Sequence, residues 1–176
     1  HVSGPGHDAE VHELYRNEIE CVPGGKLYPP GPAPRRFVHA VQTAQVVGGG
    51  EIATNQGGQV KVRFHWDRHE HDSCWLRVVQ PWAGASFGAQ FIPRVGPEVM
   101  VAFEGGNPDC PIVVGGLYNG VCPPPFELPE HRTRSGFRTR SVPAAEETDH
   151  NELYFDDKGG DEKVFLRAQK DLEFDV

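Results

Sequence analysis

The sequence predicts an all-β protein: a small closed barrel of five short strands, then a strand-built segment that has to find its packing partners outside its own chain. Three observations carry this expectation. Gly 21 and Pro 16 together make about a fifth of the 176 residues, which favours short strands joined by turns over long helices. Between residues 41 and 118, valine-rich and aromatic runs recur between glycine and proline turns. From residue 164 onward, apolar residues alternate in a ribbon too thin to bury its own face.

The N-terminal part, residues 1–35, reads as the end of a preceding domain and a linker. The stretch HELYRNEIE (His12 to Glu20) is too short and polar to be a domain, and suits a last strand or two. It runs into PGGKLYPPGPAP, with five prolines between Pro23 and Pro34, a semi-rigid connector. The chain opens on His1, and Val176 falls in the middle of an alternation, so both ends read as cut from something longer. No window approaches 18 consecutive apolar residues and no basic-then-apolar leader opens the chain, which predicts synthesis in the cytoplasm without a membrane span.

Residues 36–122 carry the barrel. Val41 to Val47 is the first strand, and GGGEIATNQGG a loop with a turn at Gly57 and Gly58. The clearest strand follows: Val60, Val62, Phe64 and Trp66 alternate with Lys61, Arg63, His65 and Asp67, one apolar face and one polar, placing Trp66 in the core. Cys74 to Gln80, Glu98 to Glu104 and Ile112 to Tyr118 supply three more runs, with turns at Pro97, Asn107-Pro108 and Gly115-Gly116. Five short strands in this span suit a barrel of the OB kind.

Residues 123–140 open on PPPFELPEHR and a Ser/Thr/Arg stretch, and read as a second linker. Residues 141–176 read as a shaft. Val164, Leu166 and Ala168 form one inward set and Leu172, Phe174 and Val176 another, offset by eight residues around a turn at Gln169-Lys170-Asp171. Leu153 and Phe155 supply the preceding strand, spaced wider because DDKGGDE inserts a longer turn. A ribbon of about 30 residues with one apolar face is not stable alone in water. Three copies wound about one axis bury that face and leave the acids outside, so the expectation is an intertwined homotrimer with these eight residues in its core.

Charge and cysteines exclude other classes. Residues 146–176 hold eleven acids and four bases, so nearly all of the net charge of −8 belongs to this segment and the barrel is close to neutral. Phosphate binding calls for the opposite sign clustered on one face, and nucleic acid is not an expected partner. Cys21, Cys74, Cys110 and Cys122 are too irregularly spaced for a disulfide scaffold or a paired CxxC zinc site, and read as buried thiols.

Within HWDRHEHDSC, His65, His69, His71 and Cys74 offer four zinc donors, but His65 sits on the polar face of a strand and Cys74 is expected to turn inward; a solvated hairpin loop is the better reading. Gly84-Ala85-Ser86-Phe87-Gly88 lacks the Lys-Ser/Thr of a phosphate loop, and its glycines suit tight curvature and close approach at a threefold contact. Trp75 and Trp82 suit core or subunit interface. No carboxylate pair or nucleophile–histidine set stands out, so no catalytic, cofactor or metal residue is assigned.

Three stretches, KVRFHWDR (Lys61 to Arg68), Ser73 to Gly120, and ELYFDDKGGDEKVFLRAQKDLEFDV (Glu152 to Val176), resemble VgrG proteins, the trimeric spikes of type VI secretion systems related to contractile phage tail spikes. The resemblance runs from about Pro29 to Val176. It implies that residues 1–35 end the hub-like base domain, 36–122 form the OB-fold, and 141–176 begin the triple-stranded β-helix of the shaft. It further implies assembly in the bacterial cytoplasm, docking on the Hcp tube and baseplate, a PAAR-type tip with effectors at the distal end, export into a target cell or the medium, and a puncturing role without catalysis. Cys110 stands where the family more often has arginine, and Cys122 lies across one strand from it, which leaves open their pairing after export. Alternatives also stay open: an enzymatic effector domain beyond Val176, a phage or pyocin tail spike, or an oligonucleotide- or sugar-binding OB module.

Overall fold

The computed structural model describes residues 17–19, 21, 25, 31, 33–143, 146 and 148–175. Two compact units, His1–Arg35 and Arg36–Val176, divide the chain, and every strand among the described residues belongs to the second. Of the strand expected at His12–Glu20, all but residues 17–19, which carry no strand, lies outside the described residues.

The barrel is built from β1 (Gln42–Val47), β2 (Lys61–Phe64), β3 (Arg77–Val78), β6 (Glu98–Phe103) and β7 (Pro111–Leu117), in the order β2-β1-β6-β7-β3. Only β3 and β7 run parallel. The sheet closes through an antiparallel bridge between Val60 and Leu76, with Val60 N–H donating to Leu76 O at 3.0 Å and Leu76 N–H to Val60 O at 2.8 Å. Five strands curled and closed in this way are the predicted OB-fold, and closure removes the open edges that a flat sheet presents. A two-stranded ribbon, β4 (Ala83–Gly84) with β5 (Phe87–Gly88), stands in the connection between β3 and β6.

Period-two alternation fills the barrel. Ala44, Val46, Val60, Val62, Leu76, Val99, Val101 and Val113 form the buried core, with Phe64, Val78, Ile92 and Phe103 packed around it. Small β-branched residues dominate because five short strands enclose little volume and their fixed χ1 rotamers suit a pleated surface.

Three expectations fail inside the barrel. Trp66 is 64 % exposed. The strand ends at Phe64, where Asp67 N–H turns back to Phe64 O at 3.1 Å, so the alternation no longer reports on the core; the Trp66 ring stacks on Phe64 and its indole N–H donates to Gln42 Oε1 at 2.8 Å. Gly115 and Gly116 do not turn; they pair with Met100 and Val99 inside β7, after an irregularity that skips Val114 in the pairing. Cys74 is exposed, because the barrel wall begins only at Leu76, and Cys21 and Cys110 are exposed with Cys122 half-buried, all four as free thiols.

Three further strands, β8 (Arg134–Arg138), β9 (Glu152–Asp156) and β10 (Lys163–Arg167), form a second, antiparallel sheet in the order β10-β9-β8. β8 lies in the stretch read as linker. Gly136 sits opposite Tyr154, and a Cβ there would meet Leu153 O at 2.1 Å and Tyr154 Cα at 2.6 Å. Gly136→Ala is therefore expected to lower the stability of this sheet by about 1–3 kcal/mol through overpacking, read as a lower denaturation midpoint, while the barrel core keeps its near-UV signal.

Candidate assembly surface

The second sheet has two unlike faces. Register fixes them: Ser135 opposes Phe155 and Phe137 opposes Leu153 across β8–β9, and Phe155 opposes Val164 and Leu153 opposes Leu166 across β9–β10. Side chains alternate along each strand, so Phe137, Leu153, Phe155, Val164 and Leu166 share one face. The other face carries Arg134 and Arg138 of β8, Glu152, Tyr154 and Asp156 of β9, and Lys163, Phe165 and Arg167 of β10.

The charged face is covered in part by the chain itself: Tyr154 is buried at its centre, while Arg138, Lys163 and Phe165 are exposed. Glu152 and Asp156 are buried, against the expectation for this segment's acids, while Asp157, Asp161, Glu162, Asp171, Glu173 and Asp175 are exposed as expected. Their partners are the arginines of β8. Arg134 Nε donates to Asp156 Oδ2 at 2.9 Å and Thr133 Oγ1 to Asp156 Oδ1 at 2.7 Å; Arg138 donates to Glu152 Oε1 through Nε at 2.9 Å and Nη2 at 2.6 Å. His150 lies beside this cluster with its ring nitrogen 3.1 Å from Arg167 Nη1. Tyr154 is the centre of the face: Phe165 stacks on it at 4.9 Å, Phe126 meets it edge-on at 5.5 Å, and the Arg134 guanidinium lies 5.1 Å from its ring.

The Arg134 hydrogen bond, helped by Thr133, holds the Asp156 carboxyl below the usual carboxylate range, while burial opposes that shift. A depressed carboxylate stabilises the fold above its ordinary pKa of about 3.9, and that contribution is lost as pH falls through the depressed value. The thermal midpoint of this sheet is accordingly expected to hold from pH 7 down to about 4 and to fall below it. Asp156→Asn should lower the midpoint at pH 7 and flatten the acid limb. An acid limb identical in the variant and the parent would contradict this.

The other face is uncovered. Phe137 is 59 %, Phe155 46 %, Val164 67 % and Leu166 53 % exposed, and Leu153 is half-buried. One contiguous stripe of half-exposed phenylalanine, valine and leucine is unusual on the surface of a folded chain and marks a contact surface. Of the eight residues predicted for a shared core, the sheet brings together Leu153, Phe155, Val164 and Leu166. Ala168 follows β10 and is half-buried. Leu172 and Phe174 are exposed in a stretch, residues 171–175, that carries no strand, and Val176 lies outside the described residues. Phe137 is not legible along the chain, because RSGFR has one apolar residue and no visible alternation; its signal is the pair of arginines four residues apart, matched by Glu152 and Asp156 four apart.

The histidine-rich loop is organised by a carboxylate. Asp67 accepts from His69 N–H at 2.9 Å and His71 N–H at 3.0 Å, and these bonds, the one from His69 first, hold its pKa below the usual value. His65 lies 3.7 Å from Glu98, and the His71 ring 3.5 Å from Asp67. Among the described residues no group of three or more His, Cys, Asp or Glu is placed to hold a metal ion, and no helix is long and apolar enough to cross a membrane.

Residues 44–118 match the family described as the type VI secretion system/phage-baseplate injector OB domain, and residues 135–176 match the bacteriophage T4 gp5 C-terminal trimerisation domain. The chain is 44 % identical over 94 % of its length to type VI secretion system spike protein VgrG1b of Pseudomonas aeruginosa, covering 23 % of that protein. It is 40 % identical over 90 % of its length to spike protein VgrG3 of Vibrio cholerae, covering 16 % of it. To a Vibrio cholerae protein named actin cross-linking toxin VgrG1 it is 41 % identical over 90 % of its length, covering 15 % of that protein. The chain thus spans about a quarter or less of the relatives it matches.

Proposed function

We propose that this chain, which belongs to the VgrG family of type VI secretion spike proteins, assembles as a homotrimer and serves as the barrel and shaft base of a puncturing spike. The observation that carries this reading is the uncovered apolar face of the β8–β10 sheet. Leu153, Phe155, Val164 and Leu166 pack about the threefold axis, joined by Ala168 and, beyond the turn at residues 169–171, by Leu172, Phe174 and Val176 as the strands wind on. Each half-exposed side chain gains on the order of 1 kcal/mol when covered, and three chains multiply that gain. The charged face, already neutralised inside its own chain, is left on the outside of the shaft.

The mechanism is mechanical. Backbone hydrogen bonds that pass between chains around a closed cross-section leave no edge along which a shaft peels when sheath contraction drives it forward. In this reading residues 1–35 end a base domain, 36–122 are the barrel, 123–140 lead to the shaft with β8 already part of its sheet, and 141–176 begin the shaft. The base docks on the Hcp tube and baseplate, and a PAAR-type tip with effectors caps the distal end. The spike assembles in the cytoplasm and leaves through the apparatus into a target cell or the medium. No catalytic role falls to this segment.

Deleting the gene in a producing strain is expected to abolish Hcp in the culture medium. The wild-type gene restores it, and a gene carrying Phe155→Asp does not. Undiminished Hcp export in the deletion strain contradicts the reading. Similarity to a relative named an actin cross-linking toxin favours a second possibility, an enzymatic domain elsewhere in the same protein, which sequencing the gene past Val176 resolves.

A further inference from the structure

We propose that the aromatic ribbon of the barrel packs against a second copy of this chain, so that the threefold contact starts on the barrel and continues into the shaft face. This rests on the trimeric reading above and adds to it a separate contact region.

The β4–β5 ribbon presents two large rings to water: Trp82 is 64 % and Phe87 61 % exposed, and they meet edge-to-face with centroids 5.8 Å apart. The ribbon is built to hold them there. Gly84 lies beneath the Phe87 ring, where a Cβ would come within 2.3 Å of Phe87 Cζ. Ser86 keeps φ at 66°, a strained value for a residue with a side chain. At the foot, the Gln80 amide donates to Phe91 O at 2.9 Å and accepts from Phe91 N–H at 2.9 Å, while Ala89 N–H donates to Trp82 O at 2.9 Å. Rigid, strained presentation of aromatic rings to solvent serves nothing in the barrel's own core.

The ribbon is also continuous with the shaft face. A cleft beside it, lined by Gln80, Trp82 and Phe87, shares Val78 and Ile92 with a second cleft lined by Val79, Phe91 and Tyr118. Phe91 in turn stacks on Phe137 at 5.6 Å, and Phe137 opposes Leu153 in the exposed sheet face. Three shaft segments packed on one axis set their three barrels at one level, which brings a barrel surface contiguous with that face within reach of the neighbouring copy. The ribbon cleft has no Lys, Arg, His, Asp or Glu in its lining, which disfavours a phosphate backbone and matches the charge-depleted centre of a protein–protein contact.

The test places the photo-cross-linker p-benzoylphenylalanine, a phenylalanine that carries a benzoyl group on Cζ, at Phe87 of the intact protein, and in parallel at Phe155 and at the exposed barrel position Val121. Light scattering checks the mass of each variant before irradiation. Adducts of two and three chains are expected from positions 87 and 155, at least about tenfold above the yield from 121. Interchain adducts from 155, with only single-chain products from 87, overturn the barrel contact and leave the trimer standing. Single-chain products from both positions, with the mass of one chain in solution, defeat the trimeric reading and this proposal with it.

Discussion

Replacing Phe155 with aspartate is expected to reduce the intact spike protein from three chains to one in solution. Phe155 sits at the middle of the uncovered face, between Ser135 and Val164. At 46 % exposure in the single chain, it contributes little to that chain's own fold. The substitution should therefore spare the barrel core and the Arg134–Asp156 pair, so far-UV circular dichroism keeps the β signal of the barrel and of β8–β10 and loses only that of strands formed between copies. In the proposed trimer the same position meets two copies of itself. An unpaired buried charge costs about 3–5 kcal/mol, so three at one axis cost on the order of 10 kcal/mol, which cancels most of what the stripe returns by burial and leaves too little to hold three chains together. Phe155→Leu, which keeps the face apolar, should still assemble. A trimer that forms normally with aspartate at this position would mean that the face points to solvent.

The second large effect falls on the barrel. Leu76→Ala is expected to destabilise it by about 3 kcal/mol and to lower its melting midpoint by roughly 10 °C or more. Leu76 is fully buried and is the largest side chain in the core, and its backbone makes the bridge to Val60 that closes the barrel. The small valine and alanine side chains around it have little reach with which to fill the space left behind. Cys74→Ala, two residues earlier but exposed, should change the midpoint by less than about 1 kcal/mol equivalent. Equal effects from the two would contradict the assignment of the barrel wall.

Much of the barrel was legible in the sequence because alternation and core coincide wherever a strand is genuinely paired. Val60 and Val62, or Val99 and Val101, read as inward and are inward. Trp66 continued the same text past the end of the ladder, and periodicity carries no information about where pairing stops. Gly115 and Gly116 look like a turn in isolation, yet they pair with β6 because the irregularity at Val114 restores the register.

β8 was the least legible element. RSGFR becomes a strand through carboxylates 22 and 14 residues away, in the Arg134–Asp156 and Arg138–Glu152 pairs, and through a glycine that lets Tyr154 close over it. A reading along the chain sees only a polar linker there. The apolar stripe of β9 and β10 was visible, since Leu153, Phe155, Val164 and Leu166 stand two apart within each strand. Leu172 and Phe174 show the same spacing, but residues 171–175 form no strand in the single chain. A strand needs hydrogen-bonding neighbours, and in an intertwined shaft those neighbours belong to other copies.

Three copies are expected to share the core that one chain leaves uncovered. Multi-angle light scattering on the intact protein tests it most directly. Three times the mass of one chain is expected, unchanged at about 1 M salt, because burial of an apolar face survives when the screening length falls to ~3 Å. A stable, folded species with the mass of a single chain would contradict it.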